Sequence, residues 1–217
     1  MSKIQLYSLA TPNGVKVSVA LEEMGLEYDA HTINIMAGDQ FTDAFIKVNP
    51  NSKIPAMVDP DGPGGEHAIF ESGAILLYLA EKTGQFLSND PKPRSETLQW
   101  LFFQVGGIGP MFGQFGHFYK YAKDTCEHPY PVERYTKETK RLLTVLETRL
   151  EGKTFLVGEE YSIADMSIFP WVQCLDVFYG ASEHLELSSY PRVNAWVARI
   201  MEREPTRRGL EVCSFQK

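Results

Sequence analysis

Several things are scarce in this 217-residue chain, and each absence removes a class of function. Its three cysteines, Cys126, Cys174 and Cys213, are odd in number, widely spaced and form no C-x-x-C, which suits a reducing compartment better than a disulfide framework. No apolar run approaches the ~20 residues that would cross a bilayer. The opening Met1-Ser2-Lys3-Ile4 has neither a cleavable apolar region nor an Arg-rich transit pattern, and a cytoplasmic location is expected. Lys and Arg number 21 against 28 Asp and Glu, a net charge of −7 that argues against nucleic acid or an anionic membrane as the main partner. His31, His67, His117, His128 and His184 form no H-E-x-x-H and no repeated pair, so no metal site is expected. Neither G-x-G-x-x-G nor G-x-x-x-x-G-K occurs, which leaves nucleotide binding without support.

What remains is ordinary globular composition with two kinds of patterning. In the first part, Ile4 and Leu6 alternate with polar neighbours, Thr11-Pro12-Asn13-Gly14 makes a turn, and Val17, Ala20, Leu21 and Met24 keep helical spacing up to Gly25. Residues 28–35 read as a second strand, 41–48 as a short helix and 56–59 as a third strand. After the turn Asp61-Gly62-Pro63-Gly64-Gly65, residues 68–70 return antiparallel, and 72–83 form a helix burying Ile75, Leu76 and Leu79 before Gly84. The order β-α-β-α-β-β-α predicts a small sheet, mostly parallel with one hairpin, carrying helices.

From Pro91-Lys92-Pro93 onward strand patterns vanish. Leu142, Leu143, Leu146 and Leu150 mark one helix face, and Val193, Trp196, Val197, Ile200 and Met201 another. Residues 163–177 are apolar almost all round and belong at the centre of a bundle. The expectation is an α/β domain over residues 1–87, a linker over 88–93, and an all-helical domain over 93–217.

Three motifs carry chemistry. In Asn49-Pro50-Asn51-Ser52-Lys53-Ile54-Pro55-Ala56, Pro55 cannot donate to a sheet ladder and belongs at the strand's mouth, in trans or in a cis turn. In the cis form the Ile54 backbone would face outward to pair with an extended peptide, as an added strand does. Phe70-Glu71-Ser72-Gly73-Ala74 opens a helix: Ser72 is either an ordinary N-cap or, with the free N–H groups, a holder of a carboxylate, and Glu71 would take an ammonium. At the carboxyl end of the first strand, Thr11, Asn13 and the helix start either cap a turn or stabilise an anion such as a thiolate.

Together these motifs resemble the cytosolic glutathione transferases, and the resemblance covers essentially the whole chain. Ser162-Ile163-Ala164-Asp165 is similar to that family's N-capping box, with Asp165 reaching back to Ser162. Thr11-Pro12-Asn13-Gly14, residues 49–55, Phe70-Glu71-Ser72-Gly73-Ala74-Ile75-Leu76 and residues 99–116 resemble the bacterial nu class, which is related to the yeast prion-type nitrogen regulator. The resemblance implies a thioredoxin-like first domain, an all-α second domain, a homodimer, and glutathione as co-substrate. It implies that Ile54 pairs with the cysteinyl part of glutathione, that Glu71 and Ser72 hold the γ-glutamyl end, and that Gln40 and Lys53 face the glycyl end. Arg134 would reach across the dimer, and the thiol would lie near Thr11 and Asn13. The family's usual Tyr, Ser or Cys activator has no clear match, Tyr7 and Ser8 being read as structural.

The chemistry implied is thiol–disulfide exchange on small glutathionyl disulfides, and in some members hydroperoxide reduction, with glutathione itself as nucleophile. The alternatives are conjugation of glutathione to electrophiles and non-catalytic glutathione binding. The glycines between Gly106 and Gly116 either line a second-substrate site or allow close helix packing; Arg203, Arg207 and Arg208 read as a solvated helix end.

Overall fold

The computed structural model describes residues 3–215. They divide into two compact units, Met1–Leu87 with Met201–Lys217, and Ser88–Ile200.

The first unit runs β1 (Ile4–Ser8), α1 (Gly14–Glu23), β2 (Tyr28–Thr32), a 3₁₀ turn Asp39–Phe41, α2 (Asp43–Val48), β3 (Ala56–Gly62), β4 (Gly65–Phe70) and α3 (Ser72–Thr83). The sheet order is β2-β1-β3-β4. Only β1 and β2 pair in parallel; β3 is antiparallel to β1 and to β4. The mostly parallel sheet expected from the element order is therefore a mixed one. The direction of β3 is set by its pairing with β1, dozens of residues away, which local pattern cannot report. Leu6, Ala56, Met57, Ile75, Leu76 and Leu79 are fully buried and form the core between sheet and helices. α3 stops at Gly84, whose φ of 68° is the left-handed geometry that favours glycine.

The last helix, α9 (Glu204–Glu211), packs on α1 in this unit rather than extending the helical domain. Gly209 lies so close to α1 that a Cβ there would come within 2.5 Å of Val19 Cα. Of the basic residues read as a solvated helix end, Arg203 and Arg208 instead clamp the two helices, whereas Arg207 donates to the Met201 and Glu202 carbonyls and does complement a helix end. Arg203 grips Glu23 through Nε and Nη2 at 2.8 and 2.6 Å, Thr206 donates its hydroxyl to the same carboxylate at 2.7 Å, and Arg208 donates to Glu22. The Glu23 side chain is only 1% exposed, so the Arg203 and Thr206 contacts stand in for the water it has lost.

The second unit contains α4 (Pro91–Phe103), a π-helical turn Gln104–Ile108, α5 (Gly109–Gly116), a second π turn His117–Tyr121, α6 (Tyr130–Arg149), α7 (Ile163–Val177) and α8 (Pro191–Met201). Pro110 has no N–H for the i→i−4 ladder, and the helix changes winding just before it. Two of the glycines there, Gly109 and Gly116, serve close packing, whereas a Cβ on Gly106 would meet open space. A Cβ on Gly116 would meet the Tyr179 ring at 2.0 Å, and one on Gly109 would meet the Gln104 side-chain amide at 2.6 Å. α7 is buried on nearly every face, and α6 and α8 bury Leu142, Leu143, Leu146, Val193, Trp196 and Ile200 against the rest of the unit.

At the start of α7, Asp165 accepts from the Ser162 N–H at 3.0 Å and the Ser162 hydroxyl at 2.9 Å, as the capping pattern predicts. Its other oxygen accepts from the Leu156 N–H and the Trp196 indole N–H, both at 2.9 Å. Among the described residues no helix is long and apolar enough to cross a membrane.

Candidate functional site

A cleft of about 160 Å³ opens in the first unit, lined by Asn13, Asn49, Asn51, Lys53, Ile54, Pro55, Glu71 and Ser72. Three separate stretches of chain meet here: the start of α1, the loop before β3, and the junction of β4 with α3.

The loop before β3 is held by Asn49, which is 2% exposed. Its Nδ2 donates to the Lys53 carbonyl at 2.6 Å and its Oδ1 accepts from the Asn51 N–H at 2.9 Å. These bonds replace the ladder that a loop lacks and fold residues 49–53 back on themselves. The Ile54–Pro55 bond that follows is cis.

At the β4–α3 junction, Glu71 holds φ 72° and ψ 113°, outside the ordinary regions for a residue with a Cβ. Glu71, not Ser72, occupies the N-cap position, and it makes no side-chain cap. Ser72 is the first helical residue, buried, so its hydroxyl is not the N-cap that the sequence allowed. That hydroxyl is bound by Lys16 Nζ at 3.2 Å.

At the start of α1, Thr11 Oγ1 accepts from the Gly14 N–H at 3.2 Å, a capping contact, and Thr11 is not among the cleft's lining residues. Asn13 does line the cleft, and its Oδ1 accepts from Lys16 Nζ at 2.8 Å. Lys16 itself went unread in the sequence. It is 1% exposed, and burial lowers its pKa to about 7, the nearby charge of Glu71 opposing that shift.

Of the expected site residues, Asn13, Lys53, Ile54, Glu71 and Ser72 are thus brought together. Gln40 sits in the 3₁₀ turn, outside the lining, with Nε2 donating to the Ile35 carbonyl at 3.2 Å. Arg134 is an exposed residue of α6, in the second unit. The rings and hydroxyls passed over are engaged elsewhere: Tyr7 stacks on His31 at 4.7 Å, and the Ser8 hydroxyl donates to the Leu9 carbonyl at 3.4 Å. Among the described residues there is no cluster of three or more His, Cys, Asp or Glu that could hold a metal ion. Cys174 is buried and its thiol is pushed up to about 12, chiefly by that burial, which makes it a poor nucleophile.

A larger concavity, about 680 Å³, lies on the second unit around Trp100 and Arg149. Its charges answer one another: Arg149 donates to Glu96 and to the Leu156 carbonyl at 2.6 Å each, and stacks over Trp100. The smaller cleft, where the three sequence motifs meet, is the candidate site.

Comparison with known proteins identifies the family. Residues 2–81 match the model of the glutathione S-transferase N-terminal domain and residues 131–204 that of the C-terminal domain. The chain belongs to the glutathione S-transferase family. It is 48% identical over 209 residues to the disulfide-bond oxidoreductase YfcG of Escherichia coli, covering 95% of this chain and 94% of that one. To the disulfide-bond oxidoreductase YghU of the same organism it is 48% identical over 214 residues, 95% of this chain and 73% of the relative. Among solved structures, a Pseudomonas fluorescens glutathione transferase family member with two glutathiones bound superposes with a TM-score of 0.95 at 52% identity, covering 97% and 93% of the two chains. A Pseudomonas putida glutathione transferase with one glutathione disulfide bound per subunit gives 0.94 at 51% identity, over 96% and 91%. The thioredoxin-like first domain and helical second domain expected from the resemblance are those of this glutathione transferase fold.

Proposed function

We propose that this glutathione transferase reduces small glutathionyl disulfides, using glutathione as the nucleophile. The reading is carried by the meeting of Asn13, Ile54, Glu71 and Ser72 in one cleft, with no protein thiol among its lining residues. The names of the E. coli relatives and the glutathione disulfide bound to the P. putida relative support it.

In this reading the γ-glutamyl end of glutathione lies at Ser72 and Glu71, where a helix start with unsatisfied N–H groups favours a carboxylate. The Ile54 backbone pairs with the cysteinyl residue, and Lys53 and Gln40 face the glycyl carboxylate. The sulfur lies near Asn13 and Thr11. A hydroxyl that accepts from Gly14, as Thr11 does, still carries its own hydrogen to donate. An unperturbed thiol has a pKa of about 8.5, and each unit of lowering takes ~1.4 kcal/mol of preference for the thiolate. One or two aimed donors and the start of α1 supply that order of energy.

The thiolate then attacks the glutathionyl sulfur of a mixed disulfide. The new S–S bond makes glutathione disulfide, the old one breaks, and the leaving thiolate takes a proton from solvent. A hydroperoxide would be a second oxidant for the same thiolate. Two chains would form the working unit, Arg134 of one reaching the glutathione of the other, in the cytoplasm.

Turnover of a glutathionyl disulfide measured beside a chlorinated aromatic separates reductase from conjugating enzyme. Retention on immobilised glutathione without turnover of either would favour a binding protein. Thr11→Ala and Asn13→Ala should each lower kcat/KM for the disulfide by more than ~10-fold, the loss expected when a donor that favours the reacting anion is removed. If neither does, the thiolate assignment is wrong.

A further inference from the structure

A lysine inside a protein is rare, because its ammonium must leave water. Lys16 is 1% exposed in the first turns of α1, and it sits directly behind the cleft wall. Its Nζ donates to Asn13 Oδ1 at 2.8 Å and to Ser72 Oγ at 3.2 Å. Asn13 and Ser72 are 59 positions apart in the chain and both line the cleft.

An ammonium only donates. An asparagine facing it must turn its carbonyl oxygen inward, which sends Nδ2 to the opposite side of the amide. A serine hydroxyl facing it must accept, which directs its own hydrogen elsewhere. We propose that Lys16 is the positioning residue of this cleft, holding Asn13 so that its Nδ2 meets the glutathione sulfur and Ser72 so that its O–H meets the γ-glutamyl carboxylate. The inference rests on the proposal that Asn13 faces the thiolate. It adds that one buried cation sets both ends of the same tripeptide, and that its positive charge lies behind the donors on the sulfur's side. Burial weakens the protonated form of Lys16, drawing its pKa down to about 7, and Glu71, the charged neighbour at the start of α3, only partly restores it. A bound carboxylate and thiolate would restore it further.

The test is Lys16→Met, which keeps a flexible apolar stem and removes every donor. Enzyme-bound glutathione is titrated by its thiolate ultraviolet absorbance, alongside steady-state kinetics with a glutathionyl disulfide. The expected result is a bound thiol pKa raised by about one unit, near tenfold less thiolate below it, with kcat lowered and KM for glutathione raised together. Ser72→Ala should raise KM with little change in the bound thiol's pKa. Asn13→Ala should raise the thiol pKa, and adding it to Lys16→Met should cost little more, since Asn13 is by then no longer aimed. A Lys16→Met enzyme with an unchanged thiol pKa, beside an impaired Asn13→Ala, overturns the positioning role alone. A neutral Asn13→Ala overturns the underlying reading instead. Should Lys16→Met not fold, a crystal structure of the unmodified protein with glutathione decides. Lys16 still bonded to Asn13 and Ser72, with the far end of the amide on the sulfur, supports the proposal; an Asn13 turned away from Lys16 refutes it.

Discussion

Replacing Asp165 by alanine should be among the most damaging single changes available in the second unit. The carboxylate is fully buried and accepts four hydrogen bonds, two from Ser162 and one each from the Leu156 N–H and the Trp196 indole. The Ser162 hydroxyl can rotate to a new partner, but the other three donors are fixed by backbone or ring. Each buried donor left unpaired costs about 1–3 kcal/mol. Two effects offset this: the variant no longer buries a charge, and water can enter the gap. A net loss of ~4 kcal/mol follows, beyond the ~0.5–3 kcal/mol of most substitutions. In a chain of this size that is a fall of roughly 8–16 °C in Tm, at about 2–4 °C per kcal/mol. Asp165→Asn should cost about half as much, because its remaining oxygen still serves two donors while its NH₂ opposes the others.

The assay is urea denaturation followed by tryptophan fluorescence, with Trp196 reporting directly on the junction. The pH dependence has a defined sign. Burial pushes the Asp165 carboxyl above the ordinary carboxylate range, against the pull of its four donors. The folded chain therefore holds a proton that the unfolded chain releases, and stability falls as pH rises from ~4 through the folded pKa. Both variants lack that slope. An alanine variant within ~1 kcal/mol of the parent would refute the claim that this carboxylate organises the surrounding donors.

Three further outcomes can be measured on the same footing. Glu23→Gln breaks the bidentate Arg203 contact and should cost ~2 kcal/mol, less than a fully buried pair because Arg203 is 34% exposed; hydrogen exchange should rise across residues 204–211 before it rises elsewhere. Gly116→Ala must displace the Tyr179 ring and should cost about 1–3 kcal/mol in thermal denaturation, whereas Gly113→Ala, whose nearest contact is the Trp171 ring at 3.4 Å, should be close to neutral. Lys16, at about 7 when folded and ~10.4 when unfolded, binds its proton more weakly in the native state, so parent stability should rise between those pH values at up to ~1.4 kcal/mol per unit; denaturation curves of Lys16→Met should show no such rise.

How much of this was legible beforehand depends on whether the signal was local. The capping box at Ser162, the helix over 72–83 and its stop at Gly84, and the all-round burial of α7 were readable, because each is written within a few residues. So were five of the cleft's lining residues, through the family's short motifs. The direction of β3 was not, nor the docking of α9 on α1. Arg203 finds Glu23 across 180 positions, and a basic residue near a helix end looks the same whether it meets solvent or a distant carboxylate. The N-cap reading of Ser72 failed for a different reason. Helix ends vary by a residue in any pattern-based reading, and at this site one residue decides whether a hydroxyl caps the helix or accepts from a buried lysine.

Lys16 shows why a correct helix can still hide its most informative residue. The spacing of Val17, Ala20, Leu21 and Met24 describes an amphipathic helix, on which a lysine one position before the stripe belongs to the wet side. α1 instead packs against α3 and α9 as well as the sheet, and every residue from Gly14 to Leu21 is buried. Periodicity measures the width of the apolar face, and it fails when the polar face is covered by chain that is distant in sequence. A buried lysine survives where acceptors meet its donors, and the Asn13 and Ser72 side chains that accept from Lys16 both line the cleft. The penalty of keeping a cation out of water falls beside the cleft where the proposed anionic ligand would offset it. That coincidence is a reason to place Lys16 within the site rather than beneath it.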